Sequence, residues 1–210
     1  MISLPPDASR PTAPSLPAPR AADGPYRVGI ICLGNICRSP IGEVVLRRTL
    51  QHEGLGDRVQ VDSGGTGDWH VGQAMDRRAS TTLRRAGYDG STHRARQVSA
   101  DWFDDHDLLL AMDAANHRAL RRLAPAEAAE RLRMFREFDP KRIDAHALGV
   151  SDPQHGADRQ ALDVPDPYDG GPAEFSAVLA VVERTAAELT RRLRSLLDAA
   201  SDESSSAVRS

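Results

Sequence analysis

The sequence predicts a single doubly wound α/β domain, a four-stranded parallel sheet with helices on both faces, and three observations predict it. Short apolar runs alternate with stretches of helical periodicity, the pattern that places crossover helices on both faces of a parallel sheet. Two of the runs, Tyr26–Leu33 and Leu108–Met112, are nearly continuous in apolar character, as strands covered on both sides require. The 210 residues, 40 % of them hydrophobic, suffice for one medium domain with a core of its own.

Residues 1–25 carry Pro5, Pro6, Pro11, Pro14, Pro17, Pro19 and Pro25 among Ala and Ser. Such a segment buries too little apolar surface to offset its ordering entropy, so a disordered extension is expected there. The first strand follows at Tyr26–Leu33. Ser39 reads as an N-cap with Pro40 at the first helical position, opening a helix that runs through Leu50 and stops at Gly54. Val59–Asp62 is a short strand leading into the glycine-rich loop Ser63–Gly72. Asp76–Ala86 reads as a helix closed by Gly87. Leu108–Met112 is the next buried strand, followed by a helix capped by Asp113 that ends at Leu123, just before Pro125. Leu132–Phe135 supplies the fourth strand. Asp139–Gly171 is long, polar and without periodicity, a length usually met in functional or disordered loops. Phe175, Val178, Leu179, Val182, Leu189, Leu193 and Leu196 recur at helical spacing and give a long amphipathic last helix. The domain is expected over 26–198, with a polar, flexible tail over 199–210.

Composition excludes several function classes. Twenty-seven basic residues against thirty acidic ones leave −3, so no bulk charge draws the chain to nucleic acid or to an anionic membrane. No apolar run approaches the roughly 18 residues of a membrane span. The two cysteines, Cys32 and Cys37, rule out a disulfide scaffold and a four-thiolate zinc site. No signal-peptide pattern opens the chain, so a cytoplasmic location is expected.

In a doubly wound fold, ligands sit beyond the carboxyl ends of the strands near the switch in strand order. The first strand ends in Cys32-Leu33-Gly34-Asn35-Ile36-Cys37-Arg38-Ser39-Pro40: a cysteine, a five-residue loop, an arginine and a helix start. A loop folded over a tetrahedral anion turns backbone N–H groups inward, and the helix start adds its positive end. Gly34 is expected to supply backbone angles that other residues resist. Arg38 can grip two phosphoryl oxygens through its planar fork. Beneath the anion, Cys32 would be the nucleophile, its thiolate favoured by the same groups. Cys-x5-Arg alone is a weak signal, which chance would produce roughly one time in four in so arginine-rich a chain. The buried strand before it and the helix after it give it weight.

Val28 to Pro40 closely resembles the phosphate-binding loop of the low-molecular-weight protein tyrosine phosphatases. The resemblance continues, in family order, through Asp62-Ser63-Gly64, Asp68-Trp69-His70-Val71-Gly72, His93-Arg94-Ala95-Arg96-Gln97, Met112-Asp113 and Asp166-Pro167-Tyr168, and spans about Tyr26 to Leu197. It implies a phosphotyrosine protein phosphatase working through a phosphocysteine on Cys32. Arg38 and the amides of Leu33, Gly34, Asn35, Ile36 and Cys37 would bind the phosphate. Asp166 would protonate the leaving phenolate and then activate water. Ser39 resembles the hydroxyl that steadies the cysteine as leaving group, and Asn35, Ser63 and His93 a buried network that shapes the loop. Trp69 and Tyr168 would wall the phosphotyrosine ring. No metal and no cofactor is implied. A phosphotyrosine protein, and a bacterial tyrosine kinase as partner, go with family habit. Cys37 matches the cysteine that can trap an oxidised nucleophile as a disulfide.

Two departures stand out. Asp169 occupies the place of a second tyrosine and adds negative charge near an anionic substrate, and 141–162 is longer than usual. Three other readings compete. Arsenate reductases share the loop but need further cysteines, which this chain lacks. A protein-arginine phosphatase branch tends to carry threonine where Ile36 stands. A non-catalytic phosphotyrosine-binding module should have lost Cys32, Arg38 or Asp166. The arginines Arg77, Arg78, Arg84 and Arg85 read as a solvated helix face.

Overall fold

A computed structural model describes residues 15–21, 24–141 and 162–207, with side chains described as far as 202. The expectation for 141–162 falls almost wholly outside the described residues. The elements run β1 (Tyr26–Cys32), α1 (Arg38–His52), β2 (Val59–Gly65), α2 (Arg77–Arg85), α3 (Trp102–Asp105), β3 (Leu108–Ala111), α4 (Ala114–Leu123), β4 (Leu132–Met134) and α5 (Pro172–Ala207). Single 3-10 turns flank β4 at Ala126–Arg131 and Phe135–Phe138. All four strands are parallel, in the order β2-β1-β3-β4. The strand order switches between β1 and β3, so the loops leaving those two strands part there and open a crevice.

Both apolar runs of the sequence lie in the middle of the sheet. Val28, Ile30 and Ile31 of β1 and all of β3 are buried, because each faces helices on one side or the other. One core layer joins Ile30, Ile41, Leu46, Leu83, Phe175, Val182 and Leu189 between the sheet and α1, α2 and α5. The other joins Ile31, Trp102, Phe103, Leu109, Leu120 and Met134 on the opposite face. At roughly 1.5–3 kcal/mol for each fully buried large apolar side chain, these layers fix the strand tips more firmly than any single polar contact at the site could.

Several boundaries differ from expectation for identifiable reasons. β2 continues to Gly65, three residues beyond the expected end, because Gly65 N–H donates to Arg96 O at 2.9 Å and Gly65 O accepts from Val98 N. The segment around Gln97 thus extends the sheet edge by one bridge. Ser39 is not the cap of α1. The helix already includes Arg38, Cys37 is the capping residue, and no side chain caps it. Asp76 and Asp113 do cap α2 and α4, accepting from Arg78 N and Asn116 N at 2.7 Å each. Residues 15–21 belong to the stretch expected to be disordered, yet they are held. Pro17 O accepts from the buried Tyr26 hydroxyl at 3.1 Å, Arg20 N donates to Asp107 at 2.7 Å, and Leu16 packs on the core. At the other end α5 continues to Ala207, into the expected tail. Among the described residues, no helix is long and apolar enough to cross a membrane.

Candidate active site

The tip of β1 delivers Cys32 to the crevice, and residues 33–37 loop over before Arg38 begins α1. The left-handed backbone that such a tight loop needs falls on Asn35, at φ +53°, and not on Gly34. Asparagine tolerates that region because its short polar side chain can bond locally. Here it does: Asn35 Nδ2 donates to Ser39 Oγ and Ser63 Oγ, both at 2.9 Å, and Oδ1 accepts from Arg96 N at 2.9 Å. His93 Nε2 donates to Asn35 O at 2.8 Å, pinning the peptide from the other side. Gly34 makes room of a different kind: a Cβ there would lie 2.9 Å from the ring of His70, which would have to shift. The N–H groups of residues 34–37 have no acceptor among the described residues, which leaves them available to an anion.

Ser39 sits in the first turn of α1 with its hydroxyl turned inward. It lies 3.0 Å from Cys32 Sγ, accepts from Asn35 and donates to Gly64 O at 3.1 Å. One hydroxyl proton therefore serves either Gly64 O or the sulfur. With a thiol at Cys32, the S–H donates to Ser39. With a thiolate, the Ser39 O–H must turn to it. Behind Ser63 stands Glu43, which accepts from the Ser63 hydroxyl at 2.5 Å and faces His93 Nδ1 at 3.8 Å. Burial would raise the Glu43 carboxyl, but the nearby His93 ring, the bond from Ser63 and the charge of Arg47 prevail and hold it below its ordinary value.

Arg38 is buried and bonded on three sides. Its NH1 reaches Asp113 Oδ2 at 2.6 Å and Val164 O at 3.2 Å, and its NH2 reaches Asp166 Oδ2 at 2.5 Å. Burial works against its charge, yet Cys32, Asp166 and Asp113 together keep the guanidinium's pKa raised. Asp113 is poised for this because α4 starts where β3 ends, directly beside the tip of β1. The loop that carries Asp166 is tied in by Val164 N, which donates to Met112 O at 2.8 Å. Asp166 Oδ1 accepts from Tyr168 N at 3.1 Å, so the carboxylate is oriented by its own turn while its other oxygen faces Arg38.

Cys32, Arg38 and Asp166 line one pocket of about 320 Å³ with Leu33, Gly34, Ile36, Cys37, Trp69, His70, Tyr168 and Asp169. Trp69 is 58 % exposed and Tyr168 50 % exposed, the two largest apolar surfaces at its mouth. The Trp69 ring lies over Gly67, where any Cβ would meet it at 2.2 Å, so glycine is what lets the ring take that position. Asn35, Ser39 and Ser63 are buried beneath the loop and do not line the pocket, and His93 is behind it. The Cys37 thiol is pushed up to about 12, by burial first and then by the negative charge of Asp76, Cys32 and Asp166. Both cysteines are free thiols.

Three residues here were not singled out from the sequence. Glu43 left a signal, an acidic residue among Ile41, Val44 and Val45 on the inward side of α1. Asp113 reads from the sequence as a helix cap and as part of the Met112-Asp113 match, with no role of its own at the site, although its place after the strand beside β1 implies the crevice. Arg78, which charge pattern assigns to a solvated helix face, is instead bonded to the loop that carries Asp166, through Tyr168 O and Gly170 O. Only Arg77, Arg84 and Arg85 of that group are fully on the surface.

Comparison with known proteins agrees with this geometry. The profile of the family described as Low molecular weight phosphotyrosine protein phosphatase matches residues 27–160 and 154–198. A low molecular weight protein-tyrosine-phosphatase of Streptomyces coelicolor is 44 % identical over 170 residues, covering 80 % of this chain and 94 % of that protein. Low molecular weight protein-tyrosine phosphatase A of Mycobacterium tuberculosis is 45 % identical over 159 residues, covering 76 % and 86 %. Among solved structures, a protein tyrosine phosphatase from Entamoeba histolytica superposes with a TM-score of 0.70 at 28 % identity, covering 81 % of this chain and 97 % of that one. YfkJ from Bacillus subtilis gives 0.67 at 30 %, covering 82 % and 96 %. The chain belongs to the low molecular weight phosphotyrosine protein phosphatase family, a family of hydrolases.

Proposed function

We propose that the chain hydrolyses phosphotyrosine in proteins, with Cys32 as nucleophile, Arg38 and the loop amides as phosphate clamp and Asp166 as general acid and base. The observation that carries this reading is the convergence of Cys32, Arg38 and Asp166 on one pocket whose mouth is walled by Trp69 and Tyr168. A phosphate entering between Cys32 and Arg38 would take the place Asp166 now holds on the guanidinium, freeing that carboxyl toward the leaving oxygen. Cys32 Sγ attacks phosphorus, the bond from phosphorus to the tyrosine oxygen breaks, and the departing oxygen takes the Asp166 proton. Water then attacks the phosphocysteine and gives a proton back to Asp166. The P–S bond breaks and inorganic phosphate leaves. Ser39 is placed to donate to the departing sulfur in this second step. Arg38 and the unpaired amides meet charge as it develops on the three remaining oxygens, which is where preorganised donors accelerate most.

Phosphotyrosine forms by transfer from a nucleoside triphosphate, so this reading places the activity beside a tyrosine kinase, in the cytoplasm. The test is hydrolysis of p-nitrophenyl phosphate and a phosphotyrosine peptide, with EDTA present, by wild type, Cys32→Ser and Asp166→Ala. Turnover by wild type alone on the peptide, with Cys32→Ser inactive, is the expected result. A folded wild type without turnover, or an active Cys32→Ser, would refute it.

A further inference from the structure

We infer that Arg78 is a positioning residue for the acid loop, locking residues 166–170 to the phosphate loop through Asp76. The inference rests on the phosphatase reading above, and it concerns a side chain that charge pattern alone assigns to solvent.

The geometry is a chain of bonds between the two loops. Asp76 N donates to Ile36 O at 2.9 Å, fastening the start of α2 to the phosphate loop. The Asp76 carboxylate takes Arg78 from two directions, Nε at 3.1 Å on Oδ1 and NH2 at 3.0 Å on Oδ2. This leaves NH1, which donates to Tyr168 O at 2.8 Å and Gly170 O at 2.9 Å. The guanidinium also lies over two rings, with Cζ 4.9 Å from the centre of Phe175 and 5.7 Å from that of Tyr168. Phe175 is wholly buried in α5, so Arg78 stands on a fixed floor. The loop it holds is a turn, closed by Gly170 N donating to Pro167 O at 2.9 Å and Tyr168 N donating to Asp166 Oδ1 at 3.1 Å.

A surface ion pair of this exposure contributes little to stability. The function of the arrangement therefore lies in where it puts the carbonyls of Tyr168 and Gly170, and through them the Asp166 carboxyl two residues away. Lysine has one point charge and cannot span Asp76 and both carbonyls as the planar fork does. Positioning of an acid matters most when the leaving group is poor. The tyrosine phenol, of pKa ~10, needs the proton, whereas the far more acidic p-nitrophenol leaves nearly unaided.

The experiment compares kcat/KM of wild type, Arg78→Ala and Arg78→Lys over aryl phosphates from p-nitrophenyl phosphate to phosphotyrosine, with thermal melting as the check on fold. Arg78→Ala is expected to lose roughly tenfold or more on phosphotyrosine, in line with the effect of small misplacements at a reacting centre, and under about threefold on p-nitrophenyl phosphate. Arg78→Lys should fall between Arg78→Ala and wild type. Equal losses on both substrates, or none, would overturn the inference. A second readout does not depend on turnover: in Arg78→Ala, amide hydrogen exchange at Tyr168 and Gly170 should quicken while α2 stays protected, and unchanged exchange at those two amides also overturns it. Absence of turnover by wild type sinks the phosphatase reading, and a change in exchange would still locate the restraint at Arg78.

Discussion

Asn35 concentrates more of the site's architecture than any other side chain, and its replacement gives the sharpest test of how the loop is held. It is wholly buried, sits at φ +53° and makes three side-chain hydrogen bonds to three separate segments: α1, β2 and the strand-like stretch at Arg96. At about 1 kcal/mol net for each bond, truncation removes about 3 kcal/mol in either Asn35→Ala or Asn35→Gly. Alanine adds about 1–2 kcal/mol for the left-handed backbone. Glycine escapes that term but loses about 0.5–1 kcal/mol to the greater freedom of its unfolded chain. Asn35→Ala should therefore be less stable than wild type by about 4–5 kcal/mol, and Asn35→Gly should retain roughly 1 kcal/mol more. Against a typical total of about 5–15 kcal/mol, both variants stay measurable by urea unfolding at low temperature.

Activity should separate from stability in the same pair. Both variants free the hydroxyls of Ser39 and Ser63, so Asn35→Gly should lose kcat/KM on an aryl phosphate nearly as fully as Asn35→Ala despite folding better. Two results would refute the reasoning. One is an Asn35→Ala destabilisation below about 1 kcal/mol, which would mean the three bonds are replaced by water. The other is an Asn35→Gly enzyme with wild-type turnover, which would mean the loop holds its shape without them.

Four further outcomes are expected. Asp113→Asn keeps a good helix cap but removes the charge on Arg38 NH1, so kcat/KM should fall roughly ten- to a hundredfold, the equivalent of a charged bond of about 1.5–3 kcal/mol, and the melting temperature should drop by several degrees, because the buried guanidinium loses a partner. Glu43 is held below its ordinary value, so its carboxylate favours the folded state above about pH 4.3 and that contribution fades as pH falls through the folded-state pKa. The stability advantage of wild type over Glu43→Gln, followed by thermal melting, should shrink below that pH, and a constant difference would contradict the sign. Peroxide inactivation should be recovered by reductant more completely in wild type than in Cys37→Ser. Because the Cys37 thiol is pushed up to about 12, closure of the Cys32–Cys37 disulfide should quicken steadily from pH 7 to pH 9. Asp169→Asn should raise kcat/KM for an acidic phosphopeptide by roughly two- to fivefold and for one neutral outside its phosphate by less, a difference that added salt should erase.

What the sequence reveals and what it conceals divide along sequence distance. The strands, the cap at Asp113 and the long last helix are each specified by short stretches of neighbouring residues, and each appears within a few residues of where local pattern puts it. Ser39 is misread for the same reason. Ser-Pro before an apolar run is a sound local signal for a cap, but the hydroxyl is claimed by Cys32 beside it in space and by Gly64, 25 residues away. Gly34 is misread likewise, because local rules assign the strained angle to glycine while two bonds to distant segments, with a third to Ser39, assign it to Asn35. The site itself is a set of distant pairs: Arg38 with Asp113 across 75 residues, Arg38 with Asp166 across 128, Arg78 with Gly170 across 92. No periodicity encodes such pairs. Resemblance supplied Asp166, and it did not supply Arg78.

That division has a physical basis. Burying Arg38 in a low-dielectric crevice demands opposite charge from whichever chain segments the fold brings there, and the parallel sheet brings the end of β3 and the loop before α5. Two carboxylates then share one guanidinium, one of them largely buried and the other 44 % exposed at the pocket mouth. The buried partner, Asp113, is fixed by the cap of α4, where its Oδ1 accepts from Asn116 N. The exposed partner, Asp166, has room to yield, and that freedom is what the acid proposed above requires, since it must first admit phosphate and then protonate a phenolate. A substitution that tied Asp166 down, or one that loosened Asp113, would leave the same residues in the same pocket and remove that asymmetry.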